Sequence, residues 1–333
     1  MGLWVRVPTN IALIKYWGKQ DAKLNWPCND SVSMSLSSLT TTTTSEPIEE
    51  GYKVYFEDQL LDLNDNRYQR MVGFLDWIKQ KEGFSGGLRI RTKNSFYSDC
   101  GIASSASGFS ALTISSILSW TGFTSLKELK EGGFNLKRLT DISRIGSGSS
   151  CRSFIPGFAH WEKGTSFDTQ SVEQIEDHGW NLSDNIVVIS SDKKKVSSRQ
   201  GHLLAESSPY FKQRLVDLQG RTQRILEAID KNDIELLGSI IEEEAQSMHQ
   251  VMETSGLSYR SRECMEFLDK FKNLRNSLGL KAYYTMDAGQ CVHIISESRD
   301  KDRVKNLLED NFNYEILSAD IDRAGPVIFE AKE

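Results

Sequence analysis

The chain has 333 residues, of which 38% are hydrophobic and 26% charged, and its formal net charge is −6. That length fits two domains, or one domain with two lobes, and supports a sizeable core. The negative balance argues against a nucleic-acid binder, because affinity for a phosphate backbone needs a basic surface; a local basic pocket for a small anion stays open.

In chain order, residues 3–14 alternate enough for a strand, and "SVSMSLSSLTTTTTSEP" (31–47) reads as a second one with Val32, Met34 and Leu36 on one side. Its threonine run is expected to be half exposed. "YKVYFEDQLLDLND" reads as a hairpin, and "NRYQRMVGFLDWIKQKEG" as an amphipathic helix with Met71, Phe74, Leu75 and Ile78 on its apolar face. "GLRIRTKN" is a strand that leads into "NSFYSDCGIASSASGFSALT" (94–113), a loop running into a helix. A further short helix ends near Gly146, and "FAHWEKG" and "NIVVISSD" are strands. Residues 208–252 are mostly helical, and 259–278 form one more helix with Met265, Leu268, Phe271 and Leu274 as its core face. "KAYYTMDAGQCVHIISES" reads strand–turn–strand, "DKDRVKNLLED" is a helix, and 313–330 supply closing strands. This irregular alternation favours α+β over a doubly wound sheet. The pattern after residue 280 resembles half of a split βαβ sandwich.

Five cysteines without a CxxC pair suggest neither a disulfide framework nor zinc, and point to a reducing compartment. Cys100 and Cys151 lie in Gly/Ser-rich loops, so a catalytic thiol has to be weighed against simple packing. The N-terminal stretch lacks the pattern of a signal peptide, and no run reaches membrane-spanning length, so a cytoplasmic protein is expected.

Four clusters carry chemistry. In "NIALIKYWGK", Lys15 interrupts an apolar strand, either snorkelling or aimed into a cleft. In the 94–113 loop, Gly101 opens a turn, Ser104, Ser105 and Ser107 follow, and Gly108 suits close packing. A helix start offers unpaired N–H groups and partial positive charge to a phosphate. No lysine-bearing phosphate-loop motif is present, so the charge of a nucleotide falls to the helix end, serine hydroxyls and Mg²⁺. In "GSGSSCR" (146–152), hydroxyls and Arg152 form an anion site. In "TMDAG", Asp287 is either an ordinary turn former or a general base or metal ligand.

Taken alone each cluster also reads as an ordinary turn or strand end. In this order and spacing, "NIALIKYWGK", "LNWPCNDSVSMSL", the Gly/Ser loop, "RIGSGSSCRSF", "VSSRQGH" and "TMDAG" resemble the diphosphomevalonate decarboxylases, within the GHMP small-molecule kinase superfamily. The resemblance runs from about residue 6 to about residue 295, and "KYWGK" and "GSGSSCR" are its most specific blocks. It implies a two-lobed α+β fold, ribosomal-protein-S5-like over 1–184 and ferredoxin-like over 185–333, with a deep cleft between. It implies ATP-dependent decarboxylation of (R)-5-diphosphomevalonate to isopentenyl diphosphate, with Mg²⁺, in a homodimer.

By resemblance, Asp287, Lys15 and Arg152 are catalytic. The substrate would be held by Tyr16, Trp17, Gly18, Lys19 and Arg70, by Ser147, Gly148, Ser149, Ser150 and Cys151, and by Ser198 and Arg199. ATP would lie on Asn94, Gly101, Ala103, Ser104, Ser105, Ala106 and Ser107, with Ser104 or Ser105 as a candidate magnesium ligand. The chain departs from the family at Gln290-Cys291, where Pro-Asn is usual, and at Tyr97-Ser98-Asp99-Cys100, where Pro-Thr-Ala-Ala is usual. Arg199 stands where some members carry Thr. Three alternatives stay open: a kinase that stops after phosphorylation, a decarboxylase of a differently phosphorylated substrate, and an inactive binding protein on the same scaffold.

Overall fold

The computed structural model describes residues 2–96, 104–190 and 197–330. Strand β1 (Leu3–Ile14) is followed by the short pair β2 (Lys19–Asp21) and β3 (Trp26–Pro27). The 18-residue β4 (Ser31–Ile48) leads to the hairpin β5 (Tyr52–Phe56) and β6 (Gln59–Leu60). Helix α1 (Asn66–Glu82) and strand β7 (Gly87–Asn94) precede α2 (Ser104–Thr121), α3 (Leu126–Glu131) and α4 (Leu136–Gly146). A 3₁₀ turn (Gly148–Phe154) then enters β8 (Phe158–Glu162) and β9 (Ser171–Ile175).

Strand β10 (Leu182–Val188) begins the second part of the chain. It continues through α5 (Ser198–Leu204), α6 (Phe211–Asp230), α7 (Ile234–Thr254) and α8 (Arg262–Ser277). Then come β11 (Ala282–Thr285), β12 (Cys291–Glu297), α9 (Lys301–Asn311), β13 (Glu315–Asp320) and β14 (Val327–Glu330).

The first sheet has the order β14-β1-β4-β7-β5-β6, with β8 and β9 added on the first half of β4. A register shift against Pro8 and Thr9 skips Ser37 to Leu39 of β4. The long strand thereby serves two neighbours, β8 through Ser31–Met34 and β7 through Thr41–Ile48. The second sheet, β11-β12-β10-β13, is antiparallel. It lies between α6 and α7 on one face and α8 and α9 on the other. One apolar core joins the two sheets: Ile11 and Leu13 of β1 and Met34 of β4 share it with Leu218 and Ile225 of α6, Ile240 of α7 and Ile186 of β10. Strand β14 returns to pair with β1, so Val327–Glu330 belong to the first sheet rather than to the second.

Three local expectations are corrected. The threonine run is not half exposed: Thr41, Thr43 and Thr44 are buried, because α2 lies across that face. Hydroxyl pairs replace apolar contact there, Thr41 with Ser107 at 2.6 Å and Ser45 with Ser115 at 2.9 Å. The core face of α8 is shifted by one residue. Cys264, Phe267, Leu268 and Phe271 are buried while Met265 is exposed, because β11 and β12 approach from that side. Gly108 makes no close approach either, since space is open where its Cβ would stand. Among the described residues no helix is long and apolar enough to cross a membrane.

Candidate active site

A cavity of about 800 Å³ opens between the two parts of the chain. Its wall brings together the end of β1, the starts of α1, α2 and α5, the Ser-rich turn at 146–149, and the β11–β12 turn. The chain leaves the ladder at Ile14, and the next side chain, Lys15, enters the cavity although it is 1% exposed. Its ammonium donates to Asp287 Oδ1 at 2.7 Å and to the Ala12 carbonyl at 2.6 Å. That uses two of the three N–H bonds of a lysine. Asp287 sits on the β11–β12 turn, closed by the Gly289 N–H on its own carbonyl at 2.8 Å.

Burial pushes the Lys15 pKa down, opposed by Asp287 and Glu244. For Asp287, burial would push the pKa up, but Lys15, with help from His293 and Arg152, holds the carboxyl below the usual carboxylate range. The aspartate is therefore ionised near neutrality.

Arg152 is buried, yet it lines the same cavity. Its Nε donates to Asn10 Oδ1 at 3.3 Å and its Nη1 to Ser31 Oγ at 3.0 Å, and its guanidinium lies 5.9 Å above the Trp161 ring. Two of five N–H bonds are thus used for positioning, and the planar fork keeps donors for a bound anion.

Lys19, Arg70 and Arg199 converge on the opposite wall. The Lys19 pKa falls to about 8, through burial and then through the charges of Arg199 and Arg70. Like charges this close disfavour one another's charged forms, and an anion between them relieves that repulsion. Asn25, with a left-handed φ of 51°, accepts from Lys19 Nζ at 2.6 Å and donates to the carbonyls of Arg144 and Ile145 at 2.7 and 3.0 Å. It ties the cationic wall to the end of α4. A diphosphate bound beside these cations would restore the Lys19 proton, so its binding would take up protons above pH 8. Calorimetry of inorganic pyrophosphate in buffers of different ionisation heat is expected to show this uptake at pH 8.5 but not at pH 6.5. Affinity weakens through about pH 8 as Lys19 loses its charge, and Lys19→Met removes both effects.

Serine hydroxyls close the floor. Ser105 and Ser147 are 3.1 Å apart and Ser147 and Ser149 3.4 Å, so the start of α2 meets the Ser-rich turn directly. Gly148 lets the turn pack against Tyr16, because a Cβ there would stand 2.6 Å from the Tyr16 ring. Gly18, at φ +94°, would drive a Cβ to 2.5 Å from Phe211.

The cavity thus holds most of the residues singled out from sequence: Lys15, Tyr16, Trp17, Lys19, Arg70, Ser104, Ser105, Ser147, Gly148, Ser149, Arg152, Ser198, Arg199 and Asp287. Others stand behind the wall. The Gly18 N–H donates to His202 Nδ1 at 3.1 Å, the Ser150 hydroxyl to the Ser147 carbonyl at 2.6 Å, and the Cys151 thiol to the Gly148 carbonyl at 3.3 Å. They shape the site instead of lining it. Ala106 and Ser107 are buried against the sheet, and Asn94 accepts from Thr41 at 2.7 Å, away from the cavity. Gly101 and Ala103, with Tyr97 to Cys100, lie outside the described residues.

The thiols of Cys28, Cys151 and Cys264 are pushed up to about 11 by burial, which removes them as nucleophiles near neutrality. Gln290 and Cys291 leave the turn intact: the Gln290 carbonyl accepts from Ile189 at 3.1 Å, and Cys291 is buried at the start of β12.

Sequence reasoning missed Asn10, Ser31, Asn25, His202 and the cavity-facing start of α1 from Asn64 to Arg67. Asn10, Asn25, Ser31 and His202 had a signal, since all four lie in the blocks "NIALIKYWGK", "LNWPCNDSVSMSL" and "VSSRQGH" that the resemblance rests on; the start of α1 had none. Among the described residues no group of three His, Cys, Asp or Glu could hold a metal. The hard oxygen donors lining the cavity include serine hydroxyls and two carboxylates, Asp65 and Asp287, which are paired with Arg67 and Lys15. Such a set suits magnesium carried on phosphate oxygens rather than a resident metal.

A two-lobed α+β scaffold with a Ser-led helix start, facing a basic cleft that holds a Lys–Asp pair, defines a protein of the GHMP small-molecule kinase class. Residues 7–173 match the diphosphomevalonate decarboxylase-like N-terminal domain, and residues 185–325 the mevalonate 5-diphosphate decarboxylase C-terminal domain. The chain belongs to the diphosphomevalonate decarboxylase family. It is 31% identical to the diphosphomevalonate decarboxylase of Candida albicans over 93% of this chain and 88% of that one. The crystal structure of mevalonate diphosphate decarboxylase from Staphylococcus aureus superposes with a TM-score of 0.90 at 29% identity, covering 99% of this chain and 98% of that one. A structure of MDDEF in complex with MVAPP, AMPPCP and magnesium gives 0.88 at 28% identity, covering 99% of each chain.

Proposed function

We infer that the chain decarboxylates (R)-5-diphosphomevalonate with ATP, giving isopentenyl diphosphate, ADP, phosphate and CO₂. The observation that carries this reading is the Lys15–Asp287 pair at 2.7 Å in one cavity with Arg152 and the Lys19, Arg70 and Arg199 cluster.

The substrate's tertiary 3-hydroxyl is a poor leaving group and has to be phosphorylated first. Asp287, held ionised, orients that hydroxyl and takes its proton as the γ-phosphoryl group passes to the oxygen. Lys15 keeps Asp287 in its charged form and offers its remaining N–H bond to the transferring group. Phosphate then departs with the C3–O electron pair and takes the proton back from Asp287, and the carboxylate so restored stabilises the positive charge left at C3. The bond to the carboxyl carbon breaks, CO₂ leaves, and its electron pair forms the alkene. Arg152 holds the carboxylate in the geometry from which it can leave.

The cations of Lys19, Arg70 and Arg199, with the serines at 147, 149 and 198, take the diphosphate. Ser104 and Ser105 at the start of α2 face the ATP phosphates. Ser104 or Ser105 would help hold magnesium together with those phosphates, and the ion would supply charge to offset theirs.

The test is to incubate the purified protein with Mg·ATP and (R)-5-diphosphomevalonate and measure ADP and CO₂ together. Equal yields are expected. ADP without CO₂ replaces this reading with a 3-kinase, and absence of both rejects the substrate.

A further inference from the structure

The backbone of Lys15 is held by an ion cluster that none of the site residues above explains. Past Ile14 the chain has left the β ladder, and the peptide groups of Lys15 need other partners. Glu244, in the middle of α7 and fully buried, accepts from the Lys15 N–H at 3.0 Å. Arg214 of α6, also buried, donates from Nη2 to the Lys15 carbonyl at 3.3 Å. The two side chains grip each other as a fork, with Nη1 to Oε2 at 3.0 Å and Nη2 to Oε1 at 2.7 Å. Arg221 supports Glu244 from the next turn but one of α6 at 3.4 Å, and Asn29 adds a second donor to the Lys15 carbonyl at 3.0 Å.

Two charged side chains from two helices thus clamp both peptide groups of one residue just past the end of β1 in the other lobe. A buried ion pair is a poor way to gain stability, since its desolvation cost roughly matches its attraction. A clamp does something that an apolar pair could not do. It fixes the Lys15 Cα against α6 and α7, so that the ammonium meets Asp287 on a turn 272 residues further along the chain. Glu244 also lies close enough to favour the charged form of Lys15.

We propose that Glu244 and Arg214 are positioning residues for the reaction: their ion pair sets where Lys15 stands against Asp287. This rests on the reading of Lys15 and Asp287 as the reacting pair. The pair touches no substrate, so its loss acts on turnover rather than on binding. Displacing a catalytic group by about 1 Å can cost about 100-fold.

The test is the double variant Arg214→Met, Glu244→Leu, which removes both charges together and so leaves no lone buried ion. It is expected to lower kcat by about 10- to 100-fold. KM for ATP and for the diphosphate substrate should stay within a few-fold of wild type, and the alkaline limb of the kcat profile should move to lower pH. A folded double variant with wild-type kcat and an unmoved limb overturns the proposal. Glu244→Gln is the second variant, for use if the double variant does not fold. It keeps an oxygen for the Lys15 N–H but gives up the charge, so a shifted alkaline limb with unchanged KM supports the proposal and an unshifted limb overturns it. Wild-type turnover measured alongside separates the two ideas. Without it the functional reading fails, whereas wild-type turnover matched by both variants sinks only the clamp.

Discussion

Asp287→Asn is expected to lower kcat by about 10²–10⁴-fold, the usual worth of a positioned proton acceptor, while leaving KM for both substrates within a few-fold. The reasons are local. The amide keeps the size of the carboxylate and an oxygen for Lys15, so the turn closed by Gly289 should persist. What goes is the negative charge, and with it the proton acceptor and the group that would stabilise positive charge at C3. Lys15 is affected as well. Asp287 opposes the fall in its pKa, so in the variant the buried ammonium sheds its proton at lower pH than before. Leaving that group poorly partnered costs about 1–3 kcal/mol of stability. Lys15→Met should lose a comparable share of kcat, and the two substitutions together should be no worse than the more severe of them, because residues that act as a unit are not additive. Steady-state kinetics on ADP and CO₂ release test this. An Asp287→Asn enzyme with more than a tenth of wild-type kcat would remove Asp287 from its role.

Arg152→Lys is expected to cost about 100-fold or more in kcat/KM for the diphosphate substrate, chiefly through KM, with little change in KM for ATP. A charge-assisted hydrogen bond contributes about 1.5–3 kcal/mol, and the fork supplies two at once. Lysine keeps the charge and loses the fork. It also cannot satisfy Asn10 and Ser31 in the way the guanidinium does, at 3.3 and 3.0 Å, so the remaining charge is no longer aimed. If Arg152 merely neutralised charge in the cleft, lysine would serve nearly as well. Unchanged substrate KM in Arg152→Lys would therefore reject a carboxylate grip. Titration of the free enzyme with a substrate analogue gives the same answer without turnover.

Much of the element order is legible in the sequence, because secondary structure leaves local periodic marks. The apolar face of α1, with Phe74, Leu75 and Ile78, and the alternation of Val32, Met34 and Leu36 in β4 are of that kind. The errors came where a neighbour distant in sequence decides which side is inside. The threonines of β4 are buried because α2 covers them, and α8 turns its Cys264 and Phe267 inward, and not Met265, because of where β11 and β12 lie. Neither neighbour can be read from a window of ten or twenty residues.

The candidate site divides in the same way. Short blocks such as "KYWGK", "GSGSSCR" and "TMDAG" carry Lys15, Arg152 and Asp287, and by their order they already named the family. Within those blocks, however, Gly18, Ser150 and Cys151 look no different from the residues that line the cavity. Only the folded chain shows that they stand behind it. The identity and spacing of the candidate reactive side chains are local facts, so they can be collected in one pass along the chain. Tertiary structure alone decided that Glu244 and Arg214 hold the Lys15 backbone from 229 and 199 residues away. Pairings at such separations depend on how sheets and helices stack, and a buried Glu on a helix carries no mark in the sequence of what it will touch.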